Sequence, residues 1–276
     1  MAGSRPSALW RVVMALVLIV GLTAAVSPFL YLIFQSLAPW DQVDKRVIPS
    51  SFTLRSYNYL FFDAGSRDPW LGALANSFLV TIVSVLLMVV FAGMVGYALS
   101  LIPFRGRKVI NNIILFHMFF PSIILLVPTF LIVRYMGLYN TYAGMIIPTA
   151  MSVWAIFMYT SFFRSVSSEM IEAARIDGAS EIAVVWRIIV PVSLPITAVI
   201  TLFLFMDRWG QLLWDLMVVS DRSKMTLSVL LASLSGSYAP YPGPIYAAST
   251  LLTLPVLLVF WLFRKQFTAG IAFVFK

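Results

Sequence analysis

Charged residues cut the chain into long apolar stretches. Uncharged runs extend from Val12 to Trp40, Pro69 to Phe104, Val109 to Val133, Tyr135 to Phe163, Ile188 to Met206 and Met225 to Phe263. A membrane span needs roughly 20 apolar residues at 1.5 Å rise each. The pattern therefore predicts six transmembrane helices, placed at 12–36, 71–102, 109–133, 141–163, 190–215 and 245–263. The fifth run is short, and its helix is expected to continue past Asp207 towards Asp215. Pro121 and Pro128 in the third span, and Pro191 and Pro195 entering the fifth, predict bent helices. Two polar intervals stand out between the spans. One is an outer segment over 41–68, with Pro49, Gly65, paired opposite charges and the aromatics Phe52, Tyr57, Tyr59 and Phe61. The other is a loop over 164–190.

Composition narrows the class. Of the 276 residues 61% are apolar and 11% charged, more apolar surface than a soluble domain of this length can hide. No long polar block interrupts the chain, so residues 1–276 are expected to form a single all-α integral membrane domain. There is no cysteine, which removes disulfides and thiolate chemistry. The net charge of +8 does not indicate nucleic acid, because Lys and Arg collect at membrane borders for topological reasons. They are in modest excess on the side of Arg5, Arg11, Arg105, Arg107, Lys108, Arg164, Arg175 and Arg187. Lys45, Arg46, Arg55 and Arg67 share the opposite side with Asp41, Asp44, Asp63 and Asp68. This places both termini in the cytoplasm, with the first helix retained rather than cleaved as a signal.

The loop over 164–190 carries the clearest local signals. Ser167 and Ser168 suit a helix N-cap, Glu169 complements the dipole, Ala173 and Ala174 favour helix, and Gly178 suits the left-handed residue that ends one. A second helix starts at Ser180–Glu181 and is expected to stop or kink at Pro191. Met170, Ala173 and Ala174 fall on one face at helical spacing, and their small side chains invite the close approach of another surface. Composition alone leaves a second possibility open, that this helix floats on lipid headgroups.

The run Glu172-Ala173-Ala174-Arg175-Ile176-Asp177-Gly178, followed by Ile188-Ile189-Val190-Pro191, resembles the EAA motif of ATP-binding-cassette (ABC) import permeases. That motif reads EAA, three residues, Gly, nine residues, Ile, one residue, Leu-Pro, and only Val190 for Leu departs from it. Phe52-Thr53-Leu54, Asn76-Ser77, Gly96-Tyr97-Ala98, Gly137-Leu138-Tyr139-Asn140-Thr141-Tyr142 and Trp209 with Gln211 and Trp214 resemble the carbohydrate branch, and within it the smaller maltose-permease component. The resemblance implies the six-helix type I ABC importer permease fold and a bacterial inner-membrane location. It implies as partners a second homologous permease, two ABC ATPase subunits, an extracytoplasmic binding protein and membrane lipid. Met170, Glu172, Ala173, Ala174, Asp177, Gly178 and Pro191 would couple to the ATPase. Trp209, Gln211, Trp214 and Asp215 would lie on a pathway for a sugar or oligosaccharide, with a glycerol phosphate or another polyol phosphate as the alternative cargo. Two positions depart from the family: Gly210 stands where Asn is common, and the tail Ile271-Ala272-Phe273-Val274-Phe275-Lys276 is bulkier than the usual Gly-Ala-Val-Lys-Gly.

The remaining constellations add little chemistry. No G-x-x-x-x-G-K loop is present, so this non-catalytic chain is expected to bind no cofactor, with ATP and magnesium held by the partner ATPase. A lone His117 makes neither a metal site nor a triad. Asp207, Arg208 and Asp215 are charges near membrane depth, where they face a cavity or pair with one another. A secondary transporter, the remote alternative, would need an ion site and an inverted repeat. A membrane enzyme would need clustered catalytic groups.

Overall fold

A computed structural model describes the backbone of residues 8–62, 69–234 and 242–274, with side chains to residue 263. In chain order the helices are α1 (Ala8–Ser36), α2 (Arg55–Phe62), α3 (Trp70–Leu101), α4 (Arg107–His117), α5 (Ser122–Tyr135), α6 (Tyr142–Thr149), α7 (Val153–Phe163), α8 (Ser168–Ile176), α9 (Glu181–Trp209), α10 (Leu213–Val218), α11 (Leu227–Leu234) and α12 (Gly243–Val274). No strand occurs among the described residues. Helices α1, α3, α9 and the Gly243–Phe263 part of α12 are each long and apolar enough to cross a membrane. The pairs α4–α5 and α6–α7 also qualify if each bent pair counts as one span.

Three expectations change here. The third span is two helices meeting at 102°, not one curved helix. Pro121 has no N–H to donate and is itself extended at ψ 121°, so α4 ends in a turn and α5 restarts after the proline. The helix expected over 190–215 instead runs from Glu181 to Trp209, and Asp215 sits on the separate α10. Pro191 does not stop that helix. A single widened turn over Val185–Ile189, closed by the Val190 N–H on the Val185 carbonyl, absorbs the missing donor. The tail positions 271–276 lie outside the described side chains, as do outer-segment residues 63–68.

The chain divides into two compact units, Met1–Asp68 with Ser233–Thr253, and Pro69–Ala232 with Leu254–Lys276. In the first, the buried Gln35 side chain braces the segment after α1. Its amide donates to the Arg46 carbonyl at 2.7 Å, and its oxygen accepts the Asp44 N–H at 2.9 Å. Asp44 takes a φ of 60°, and its carboxylate accepts the hydroxyls of Tyr31 and Tyr246. Arg55 lies 4.2 Å from the ring centroid of Trp40, whose indole N–H donates to Ser56.

The second unit is built on α3, α7 and α9. Val85, Met88 and Ala92 of α3, Ile156 and Tyr159 of α7, and Ile196 and Ile200 of α9 form one buried cluster. A Cβ on Gly96 would fall 2.6 Å from the Tyr159 Cβ, so glycine at this position is what lets α3 and α7 approach. Ile171 of α8 and Val184 of α9 extend the cluster to the loop end of the unit.

Candidate functional site

Helix α8 spans the residues its local signals predict, Ser168 to Ile176. Its N-terminus differs in detail, because the Ser167 side chain makes no capping bond. The C-terminus is a Schellman turn. The Gly178 N–H reaches the Arg175 carbonyl and the Ala179 N–H the Ala174 carbonyl, both at 3.0 Å. Gly178 has φ +79°, yet a Cβ there would meet nothing within 4 Å. The glycine is required by the backbone angle and not by space. Ser180 then caps α9 by accepting the Ala183 N–H. The result is two helices joined by a hydrogen-bonded corner.

The faces of α8 sort differently from the expectation. Ala174 is half-buried and packs against the core beside the buried Ile171, so it does not share an outer face with Met170 and Ala173. Met170, Glu172, Ala173, Asp177 and Pro191 are exposed. Ile176, which sequence reasoning passed over, is 86% exposed and completes an apolar arc with Met170 and Ala173. On α9, Ile182 and Trp186, one turn apart, are exposed as well.

A polar clamp holds the corner. Glu181 accepts from the Arg175 guanidinium at 2.8 Å with one oxygen and from the Tyr97 hydroxyl at 2.7 Å with the other. Arg175 lies outside the membrane-spanning segments, and its hydrogen bond to Glu181 raises its pKa above the ordinary arginine value. The clamp ties α8 and α9 to α3. Its three members were visible only as a cap signal, a motif filler and a family tyrosine, with nothing in their spacing to join them.

The other candidate residues surround the turn between α9 and α10. Arg208 and Asp215 are 3% and 1% exposed. They form a two-pronged pair, Nη2 to Oδ1 at 2.9 Å and Nη1 to Oδ2 at 3.0 Å. Arg208 also donates to Ser84 of α3 and to the Met145 carbonyl of α6. Burial and two-pronged pairing make Asp215 a structural anchor of this turn. Trp209 is buried and stacked on Phe205, with ring centroids 5.5 Å apart, and Trp214 is buried and donates to the Gly144 carbonyl. Neither indole presents its face as an exposed stacking platform.

Gln211 is half-buried and, together with an edge of Trp214, lines an open cleft of about 820 Å³ between α4–α5, the α6–α7 break and the α9–α10 turn. The wall is mainly apolar, with polar groups from His117, Ser122, Thr129, Thr149 and Gln211. Gly210 lines it too, so the missing family asparagine is an amide absent from the cleft wall.

The family-like motifs outside the cleft are scaffolding. Asn140 has φ +60°, and its side chain accepts the Ser220 and Asp221 N–H groups. Asn76 donates to the Ser223 and Met225 carbonyls and accepts from Tyr142, while Ser77 accepts the Leu227 N–H. Together they fix the segment that follows α10.

Apolar helices around an open cleft, with a helical corner presented by the same unit, suit a membrane transport subunit. The chain belongs to the family of binding-protein-dependent transport system inner membrane components, which it matches over residues 88–268. It is similar to the arabinooligosaccharides transport system permease protein AraQ of Halalkalibacterium halodurans, with 32% identity over 252 residues, 90% of this chain and 89% of the relative. The trehalose transport system permease protein SugB of Mycobacterium tuberculosis is also 32% identical, over 98% of this chain and 97% of its own. Among solved structures, a chain of a bacterial ABC transporter that imports the acidic polysaccharide alginate superposes with a TM-score of 0.83 at 25% identity, covering 95% of this chain and 99% of that one.

Proposed function

We propose that this chain is one permease subunit of an ABC importer for a sugar or oligosaccharide. It works with a second, homologous permease, two ATPase subunits and an extracytoplasmic binding protein in the bacterial inner membrane, with both termini cytoplasmic. The observation that carries this reading is the EAA run folded as α8. Its apolar arc is exposed, and its far end is locked by Gly178 and by Glu181. Met170, Ala173 and Ile176 dock in the ATPase, and Glu172 meets a basic side chain there. Closure of the two ATPases then moves α8. The hydrogen-bonded corner and the Tyr97–Glu181–Arg175 clamp hand that movement to α3 and α9 as a rigid-body switch. Asp177 serves this corner as the helix cap, and Pro191 follows the widened turn farther along α9. ATP and magnesium belong to the ATPase partners, and this chain holds no cofactor of its own.

The cargo passes the cleft beside Gln211. The similarity to arabinooligosaccharide and trehalose permeases supports a carbohydrate and gives no support to a polyol phosphate. In proteoliposomes holding the whole complex, carbohydrate-loaded binding protein should stimulate ATP hydrolysis. Stimulation by amino acids or peptides and by no carbohydrate would overturn the cargo assignment.

A further inference from the structure

A second cleft lies in the same unit, at the loop that joins α3 to α4. It has a volume of about 760 Å³, and its lining includes Phe104, Arg107, Lys108, Asn111, Asn112 and Arg164. Three cations therefore converge from two separate parts of the chain, the start of α4 and the end of α7. No Asp or Glu is among the described lining residues. Arg164 is positioned by donating to the Asn111 side chain at 3.3 Å. Gly106, with φ +88°, turns the chain into α4, and no side chain caps the first turn of that helix. Uncapped N–H groups at a helix start add partial positive charge to the same place.

The surroundings decide which anion fits. Along α4, Val109 and Phe116 lie two turns apart on one face, are each more than 60% exposed and do not line the first cleft. No residue of α4 is buried. An apolar stripe thus leads away from a cationic cleft, and its exposed surface suits acyl chains rather than water. A free phosphate would use the cations alone and gain nothing from the stripe.

We propose that this cleft holds the phosphate headgroup of an anionic phospholipid, with its acyl chains along Val109 and Phe116. The site is at the same end of the unit as α8, since Arg164 directly precedes the α8 segment. The proposal rests on the reading that this end faces the cytoplasm. A lipid seated there would brace α4 against α7 next to the coupling corner.

The test is lipid retention by the purified whole complex, read by native mass spectrometry with phosphatidylglycerol and phosphatidylcholine as probes. The parent should retain phosphatidylglycerol preferentially. One basic residue near an anionic headgroup supplies roughly a fivefold preference. The double variant Arg107→Gln/Arg164→Gln should therefore lower the preference by about 25-fold, and the exposed single variant Lys108→Gln by roughly fivefold. The single variant keeps the test valid if the double variant does not assemble. Unchanged preference in the variants overturns the proposal, as does no preference in the parent. Competition by inorganic phosphate that fully displaces the lipid assigns the site to a free anion and also overturns it. Loss of the ATPase subunits from the variants with lipid retention intact gives the cations to protein docking instead. Sidedness is read separately. The chain has no native cysteine, so an Asn112→Cys variant labelled only from outside the cell would contradict the orientation without bearing on lipid retention.

Discussion

Arg208 and Asp215, seven residues apart on either side of the α9–α10 turn, close a buried two-pronged ion pair that also reaches Ser84 of α3 and the Met145 carbonyl of α6. Taking two charges out of water is costly, and removing one partner strands the other. Arg208→Ala or Asp215→Asn should each destabilise the chain by about 3–5 kcal/mol. The Arg208→Met/Asp215→Leu double variant should recover part of that loss. Thermal unfolding of the detergent-solubilised complex gives the comparison. A double variant less stable than either single one would show that the pair is not the anchor described.

Gly178 should be sensitive to backbone angle and not to volume. Its φ of +79° costs a residue with a Cβ about 1–2 kcal/mol, and no neighbouring atom stands in the way. Gly178→Asn should be tolerated, Gly178→Ala should weaken coupling, and Gly178→Val should weaken it most. Coupling is measured as cargo moved per ATP hydrolysed in proteoliposomes. A valine variant with the parental ratio would remove the rigid corner from the mechanism.

The difference between α8 and the Arg208–Asp215 anchor marks what a sequence discloses. The bounds of α8 are legible because serine, alanine and glycine act on the backbone nearest them. Which face of α8 turns inward is not, since Met170–Ala173 and Ile171–Ala174 look alike in composition. The larger Ile171 fills the gap beside α7 and α9 and takes Ala174 with it. The charges at 207, 208 and 215 were visible, but their pairing depends on the chain breaking at Gly210, which an apolar run does not announce. Pro121 likewise predicts a bend, but not that the chain breaks there into two helices at 102°. That Trp209 is buried against Phe205 while Trp214 borders the cleft is not legible either, because aromatic residues serve stacking and packing equally well.

Gly96 should tolerate no enlargement. A Cβ there falls 2.6 Å from the Tyr159 Cβ, so Gly96→Ala forces α3 from α7 and should cost about 1–3 kcal/mol, with Gly96→Leu costing more. Yield and melting temperature of the assembled complex report this. An alanine variant as stable as the parent would mean that the two helices are not packed this closely.

Gln211 and Trp209 should separate in their effects. Gln211→Ala removes a polar group from the cleft and should slow transport with little change in melting temperature. Trp209→Ala removes a buried ring from between Phe205 and Phe78 and should cost roughly 3–5 kcal/mol of stability. Transport assays run alongside melting curves distinguish them. Equal loss of stability in both variants would place Gln211 in the scaffold and not on the pathway.

Cross-linking tests the central claim most directly, because the chain carries no cysteine and single sites can be introduced cleanly. Ala173→Cys and Ile176→Cys sit on the exposed arc of α8, while Ile171→Cys sits on its buried face at a position 3% exposed. A short bifunctional reagent applied to the intact complex should join positions 173 and 176 to the ATPase, with a yield that changes when ATP binds, and leave position 171 unlinked. If a transport-competent complex gives no ATPase cross-link from either exposed site, or equal linkage from position 171, α8 is not the element that couples ATP hydrolysis to transport.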